Sequence, residues 1–259
     1  MLTALRQVDQ VKVLARDSSS LEAPFVCPKC TRLLIFRKGQ IKVHHFAHKP
    51  PVTCSFGAGE TEQHHKAKLE IFDALKLELN VENLEVEKDF GVSVADVFAR
   101  ISGTPVAIEI QRSTLSVNDI ARRTANYHRL GISVLWLGLP TDLPVSRRYS
   151  PKAWEKWCHA AYFGRLYFWS HGQVIQPVHL ASYHIHVEST TWYEDGSEQS
   201  AGGYDRRSKR WRTPLAGIPM LLSQHFASRT RPAWAGGTIT ISNCQLFIDK
   251  QAKWWANEA

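Results

Sequence analysis

The chain has 259 residues, 44% hydrophobic and 22% charged, which excludes intrinsic disorder and low-complexity architecture for the chain as a whole. Lys and Arg number 32 against 24 Asp and Glu, and the net charge of +8 fits a polyanionic partner such as nucleic acid. No apolar run reaches the roughly 18 residues that a membrane-spanning helix needs. The early charges do not fit a secretory signal. We therefore expect a folded cytoplasmic protein with no membrane association.

The residue pattern divides the chain into three expected regions. Residues 1–59 alternate turns with short β-like runs, at 11–15, 33–37 and 41–46. Residues 60–140 contain longer elements, and residues 141–259 contain eight of the nine tryptophans in what we expect to be a basic domain. In that last region the patterns predict a helix at 154–158, strands at 162–169 and 183–187, and an exposed loop at 194–212.

The middle region has the clearest periodicity. Helical spacing predicts one helix over residues 61–79 and a second from about 117 to 130, ended by Gly131. Three β-like runs lie between the helices, at 84–90, 92–101 and 105–111. A uniformly apolar run at 132–139 follows the second helix and is typical of a strand buried on both faces. This order of elements favours a mixed α/β fold.

Two acidic residues in this region are expected to face each other. Ser102 and Gly103 predict a two-residue hairpin turn, which places Asp96 directly opposite Glu109 with Cβ atoms about 4.5–5.5 Å apart. Two carboxylates that close repel unless a cation lies between them, and Mg²⁺ or Mn²⁺ is the simplest such cation. On this hypothesis, the metal-free Asp96→Asn variant is at least as stable as the wild type. A slip of one residue would instead turn one carboxylate to solvent.

Polar residues on the two helices are candidates for supporting roles. Glu62, His65 and Lys68 lie three residues apart, close to one stripe of the first helix, and Glu62 could reach the same cation. The alternative is a solvated polar face. Arg123 and Tyr127 share a face of the second helix, either as a packing pair with a solvated arginine or as contacts to a phosphate group.

The N-terminal region contains a cluster typical of a zinc site. Cys27 and Cys30 supply two thiolates on one tight turn, and structural zinc needs four N or S ligands. Cys54 and one histidine could complete the set, and we prefer His48 to His45 because it lies where the chain turns toward Cys54. With an odd number of cysteines and no export signal, structural zinc is favoured over disulfides. The alternative is a hairpin whose histidines are merely hydrogen-bonded.

A basic run with an embedded aromatic residue is the last candidate. Its proposed nucleic-acid contacts are Arg206, Arg207, Lys209, Arg210 and Trp211. Such a run suits neutralisation of phosphates together with stacking of bases. The alternative is a solvated surface segment.

Taken together, these motifs resemble the CoiA-like competence protein family, whose central domain is similar to PD-(D/E)XK nucleases of the restriction-endonuclease-like fold. The resemblance covers residues 22–140 well and the tail only loosely. It is carried by the following motifs in order: Cys27-Pro-Lys-Cys30, His45-Phe-Ala-His48, Cys54, Glu62-x-x-His65-x-x-Lys68, Ala95-Asp96, Glu109-Ile-Gln111-Arg-Ser113, Arg122-Arg123-Thr124-x-x-Tyr127 and Val134-Leu-Trp136-Leu.

The resemblance implies roles for the acidic residues. Asp96 and Glu109 would bind a catalytic Mg²⁺ or Mn²⁺, with Glu62 in support. Gln111 stands where many nucleases of this fold have a catalytic lysine, and its amide can orient a water but brings no charge. Lys68 or Arg123 is then a candidate for the missing positive charge.

The implied architecture is a mixed sheet flanked by helices (60–140), an N-terminal zinc-binding β module (1–59) and a Trp-rich α+β region (141–259). The implied function is metal-dependent cleavage of DNA, with single strands favoured, during transformation or recombination, and with recombination or competence proteins as partners. A DNA-binding accessory protein that keeps the fold without cleaving is the alternative. A zinc-dependent adaptor for protein interactions is a third hypothesis.

Overall fold

A computed structural model describes residues 1–39, 43–54, 56–57, 60–111, 115–144 and 146–257. The start of the β-like run expected at 41–46 lies outside the described residues. So do Arg112 and Ser113, which follow Gln111 in the motif of the acidic strand.

The N-terminal module, residues 1–57, is built on an antiparallel sheet of five strands: β1 (Thr3–Arg6), β2 (Lys12–Leu14), β3 (Phe25–Val26), β4 (Leu33–Arg37) and β5 (His45–His48). Their spatial order is β2-β1-β3-β4-β5. Phe25, Phe46 and Phe56 form much of a small core of its own. The sequence pattern indicated β2, β4 and β5 but missed β1 and β3, because strands of four and two residues are too short to show a period.

The central region contains the elements predicted for it, in the predicted order: α1 (Glu62–Lys76), β6 (Val81–Asp89), β7 (Val94–Ile101), β8 (Thr104–Ile110), α2 (Val117–Arg129) and β9 (Ser133–Leu137). Thr61 and Ser116 cap the two helices, each hydroxyl accepting from a backbone N–H of the first turn. Every residue of β9 is buried, as its apolar run predicted. None of the helices in the described part of the chain has the length and apolarity that crossing a bilayer requires.

The predicted hairpin register is confirmed. Ser102 and Gly103 have φ values of +50° and +78°, so both turn residues adopt the left-handed conformation of a two-residue hairpin turn. Ile101 pairs with Thr104, and Val97 pairs with Ile108, in the β7–β8 ladder. The slipped register is therefore wrong.

The C-terminal region contains the remaining elements: α3 (Ala153–Ala161), β10 (Leu166–His171), β11 (Val174–Val187), β12 (Thr190–Glu194), β13 (Ser197–Ala201), β14 (Tyr204–Ala216), β15 (Met220–Leu221), α4 (Leu222–His225), β16 (Phe226–Arg231), β17 (Trp234–Gly236), β18 (Ile239–Ile241) and β19 (Cys244–Asp249). The helix and the two strands predicted here correspond to α3, β10 and β11. The loop expected at 194–212 is wrong, since the hairpin β12–β13 and most of β14 occupy it. Polar residues on both faces of these strands gave no alternation by which to recognise them.

C-terminal strands complete the central sheet. β19 pairs in parallel with β9, β16 pairs with β19, and the six strands run β16-β19-β9-β8-β7-β6. One hydrophobic core extends from Ala67 to Ile248 and includes Trp136, Trp154 and Trp157. The boundary expected near residue 140 is therefore not a boundary of the core.

Candidate active site and metal sites

Three acidic side chains lie in a row across neighbouring strands of the central sheet. Continuing the pairing of Val97 with Ile108 places Glu109 of β8 opposite Asp96 of β7. The β6–β7 register places Glu87 on the other side of Asp96. Glu87 and Glu109 are buried, and the Asp96 side chain is 13% exposed. Such a row needs compensating positive charge.

Lys68 of α1 supplies positive charge within this row. Its side chain is 1% exposed, and Nζ lies 3.0 Å from Asp96 Oδ1 and 3.1 Å from Glu87 Oε1. Nζ also donates to Glu60. Burial alone lowers the pKa of a lysine, but Asp96, Glu87 and Glu60 outweigh it and hold the pKa of Lys68 well above its ordinary value. Lys68 is therefore a buried cation shared by three carboxylates.

His64 lies where two oxygen atoms of the site converge. Its Nε2 is 3.1 Å from Asp96 Oδ2 and 3.1 Å from the Ile110 carbonyl oxygen. The Ile110 N–H also donates to Asp96 Oδ2, at 2.9 Å. Burial raises the pKa of the Asp96 carboxyl, but His64 and Lys68 outweigh burial and hold that pKa far below its ordinary range. Asp96 is therefore ionised and fixed from several sides.

Glu109 is fixed from the other helix. Arg123 and Tyr127 of α2 both donate to its carboxylate, so the predicted pair on this helix contacts an acid. Burial raises the pKa of Glu109 above its ordinary value, Arg123 opposes that rise, and Asp96 adds to it. The repulsion expected between Asp96 and Glu109 is thus relieved by Lys68 and Arg123. A metal ion is not required to hold the two acids together.

Glu62 does not reach this site, contrary to the prediction. It is exposed in the first turn of α1, and at 3.6 residues per turn it lies roughly 200° around the helix from His64. Glu60 takes the expected place, contacting Lys68 and placing Oε2 at 2.7 Å from His65 Nε2. The sequence does contain a pattern that predicts this set. Glu60, His64 and Lys68 are spaced four residues apart, which favours one stripe of a helix.

A pocket of about 260 Å³ opens over the acidic row, between the N-terminal module and the sheet. The predicted site residues that line it are Lys68, Asp96, Glu109, Gln111 and Arg123. The N-terminal module contributes Lys29, Phe56 and Gly57 to the same lining. Gln111 is buried, and its backbone N–H donates to the Leu137 carbonyl oxygen at 2.6 Å. The N-terminal module is therefore a wall of this pocket.

The cysteine group comprises Cys27, Cys30, His48 and Cys54, whose potential ligand atoms all lie within 4.8 Å of one another. Burial raises the pKa of the Cys27 thiol to about 12. Burial also raises the pKa of Cys30, but hydrogen bonds that include those from Arg32 and His48 outweigh it and bring that pKa to about 6. Three sulfur donors and one imidazole are a donor set that fits tetrahedral Zn²⁺. His45 instead places Nδ1 3.0 Å from the Val43 carbonyl oxygen.

The carboxylate group comprises Glu60, His64 and Asp96, whose potential ligand atoms also lie within 4.8 Å of one another. Two carboxylates fit a divalent cation, and the imidazole favours a transition-metal ion over Mg²⁺. Glu109 is not part of this group, and its carboxylate oxygens accept from Arg123 and Tyr127. Its role as a metal ligand stays a prediction.

The predicted basic run lies on β14 rather than on a loop. Four of its side chains are exposed: Arg206, Arg207, Lys209 and Arg210. Trp211 is half-buried, and the guanidinium groups of Arg148 and Arg210 lie 4.4 Å and 4.6 Å from its ring centroid. These cation–π contacts compete with any stacking of a base on Trp211.

The fold and the pocket define a class of protein: a mixed α/β chain with an acidic pocket, walled by a cysteine-containing β module. Sequence comparison then gives the family. Residues 60–194 match "Competence protein CoiA, nuclease-like domain", and residues 7–57 match "Competence protein CoiA, N-terminal domain". The first match alone covers more than half of the 259 residues, so the chain belongs to the CoiA family of competence proteins. The predicted membership of the CoiA-like competence protein family is confirmed.

The chain is also similar to the competence protein CoiA of Bacillus subtilis (strain 168), with 30% identity over 114 residues. That alignment covers 44% of the chain and 31% of the relative, so the chain matches about a third of that protein's length. No solved structure matches the chain.

Proposed function

We propose that this CoiA-family protein is a metal-dependent deoxyribonuclease, with single-stranded DNA as the favoured substrate during transformation or recombination. The observation that carries the proposal is the 3.0 Å contact of Lys68 Nζ with Asp96 Oδ1 inside a pocket that Glu109 also lines. In the nucleases that the motifs resemble, a lysine accompanies the acids, and Gln111 leaves the strand without that charge. Lys68 brings the charge to the same pocket from α1.

The chain's own residues would divide the work as follows. Asp96, with Glu60 and His64, would hold Mg²⁺ or Mn²⁺, and Glu109 is the further acid on the same face of the sheet. Such an ion, when bound, supplies a water of lowered pKa and neutralises charge on the scissile phosphate. Lys68 acts as a positioning residue because its ion pair fixes the carboxylate of Asp96.

The wall of the pocket formed by α2 is suited to a phosphate backbone. Arg123 lines the pocket and keeps part of its side chain exposed while it holds Glu109. Arg122 lines the pocket beside it. On this proposal the exposed basic side chains of β14 would add sequence-independent contacts to DNA phosphates.

The finer structural expectations belong to the same proposal. The cysteine group would hold one structural Zn²⁺, supported by its donor set and its compact geometry. Thiolate ligands require reduced cysteines, which fits a cytoplasmic location. A restriction-endonuclease-like core is supported by the order helix, three antiparallel strands, helix and parallel strand. Recombination or competence proteins would be further partners.

The test is cleavage of end-labelled single- and double-stranded DNA in the presence of Mg²⁺ or Mn²⁺. We expect the wild type to cleave and Asp96→Asn to be slower by about a thousandfold, since several kcal/mol of charge stabilisation is lost. Asp195→Asn is the matched control, because Asp195 is exposed in the turn between β12 and β13. DNA binding should persist in both variants.

Two results would overturn this proposal. The first is a wild type that binds DNA but does not cleave it with either ion. The second is an Asp96→Asn variant that cleaves at the wild-type rate. The first result would favour the alternative, an accessory protein that binds DNA and retains the nuclease-like fold without its activity.

A further inference from the structure

We infer that Lys29, inside the Cys27–Cys30 turn, binds a phosphate group of the DNA at the edge of the acidic pocket. The N-terminal module would then supply part of the substrate site in addition to its own metal site. This inference rests on the proposed function, since it assigns a contact to the same pocket.

The first observation is that Lys29 is unlike the other cations of the pocket. Lys68 is paired with Asp96, Arg123 with Glu109, and Arg122 with Asp119 at 2.9 Å. Lys29 lines the pocket and is exposed, and it has no ion-pair partner among the residues that the structure describes. Its charge is therefore available to a ligand.

The second observation is that the backbone around Lys29 is fixed. The Lys29 N–H donates to Cys27 Sγ at 3.4 Å, and the Thr31 N–H donates to the Cys27 carbonyl oxygen at 2.9 Å. The Cys27 N–H donates to the Arg32 carbonyl oxygen, also at 2.9 Å. These bonds hold the turn, and Lys29 lines the pocket from this position without the help of a substrate.

The third observation is that the module is anchored beside the pocket by direct contacts. Glu87 accepts from the backbone N–H groups of Leu2 and Thr3, each at 2.9 Å, and from the Thr3 hydroxyl at 2.7 Å. Lys12 Nζ donates to the Val86 carbonyl oxygen at 2.8 Å. Because Glu87 also pairs with Lys68, the module and the acidic row share one buried network.

The pocket favours a cation at this edge when it takes a phosphate backbone. Its floor carries several carboxylates, which repel a phosphate backbone. Arg122 and Arg123 provide positive charge on the wall formed by α2, and Lys29 provides it on the wall formed by the module. A lysine is a flexible point charge, so Lys29 would contact the backbone of any DNA sequence and read no base.

The experiment measures the affinity of the full chain for fluorescein-labelled single-stranded DNA by anisotropy, over a salt series without added divalent ions. Loss of one phosphate contact should reduce the slope of log affinity against log salt by about 0.7. We expect this reduction in Lys29→Gln and not in Lys29→Arg, which keeps the charge. Lys38→Gln is the control, because Lys38 is an exposed lysine of the same module that does not line the pocket.

A wild-type slope in Lys29→Gln, or an equal reduction in Lys38→Gln, would overturn the inference. If the wild type nevertheless cleaves DNA in the presence of metal, the proposed nuclease activity stands and only the role of Lys29 is wrong. A wild type that does not bind DNA at all would overturn both.

Discussion

The cysteine group and the carboxylate group could each hold a metal ion, but they are built in different ways. The cysteine group lies within one small module, and its donors are mainly sulfur atoms. The carboxylate group already contains a cation, because Lys68 contacts both Asp96 and Glu60. In the first arrangement a bound metal ion would be part of the fold. The charge of the second is offset by the protein itself, so that a metal ion would bind there in competition with Lys68.

The largest expected effect is on the cysteine group. Cys27→Ser should remove the single zinc ion expected per chain and unfold the N-terminal module, since structural zinc contributes roughly 10–16 kcal/mol in small zinc domains. Elemental analysis and circular dichroism would measure the two effects. Cys244→Ser is the matched control, because Cys244 is buried outside the group, and this variant should keep its zinc. If wild-type protein purified without chelators contained no zinc, the assignment of the cysteine group as a zinc site would be wrong.

The next effect is on the buried lysine of the carboxylate group. Lys68→Met leaves Glu60, Glu87 and Asp96 without their shared cation and should lower the free energy of unfolding by about 3–5 kcal/mol. Lys66→Met on the same helix is the control, since Lys66 is exposed and its variant should change stability by less than about 0.5 kcal/mol. Urea denaturation measures both. Equal losses in the two variants would mean that Lys68 does not hold the acids.

A smaller effect is expected at Asp96, and here the structure reverses the expectation from the sequence. Repulsion from Glu109 suggested that Asp96→Asn would not destabilise the apoprotein. Because Asp96 contacts Lys68, His64 and the Ile110 N–H, the variant should instead lose about 1–3 kcal/mol of unfolding free energy. Thermal denaturation of both proteins without metal shows whether the substitution lowers or raises stability. A variant as stable as the wild type would restore the repulsion hypothesis.

The smallest effect concerns exposed residues of β14 that belong to neither group. Replacing Arg207, Lys209 and Arg210 with Ala should flatten the salt dependence of DNA affinity by about 0.7–0.9 of a slope unit for each lost phosphate contact. Stability should hardly change, because all three side chains are exposed. A slope equal to that of the wild type would assign these residues to the solvated surface.

The two groups also differ in how far the sequence could predict them. All four members of the cysteine group were predicted, because a Cys-x₂-Cys turn is a local pattern and the remaining donors follow within the same module. The register of Asp96 and Glu109 was also predicted, since a two-residue turn at Ser102 and Gly103 determines every pairing in its hairpin.

The rest depends on contacts between distant segments. Glu87 was missed because its partners Leu2 and Thr3 are 85 and 84 positions away in the chain, and its own φ of +50° interrupts the regular strand pattern. Glu60 was missed in favour of Glu62 because it precedes the helix cap. The parallel pairing of Leu246 with Val134 joins the C-terminal region to the sheet, and no local pattern indicates it.

The most direct test of this account is metal binding by wild type and Asp96→Asn after equilibrium dialysis against Mn²⁺, read by elemental analysis. The account predicts that the wild type retains zinc and takes up Mn²⁺ in addition. Asp96→Asn should retain the same zinc and lose the Mn²⁺, because Asp96 belongs to the carboxylate group alone. Equal uptake of Mn²⁺ by the two proteins would contradict the assignment of the acidic pocket as a metal site.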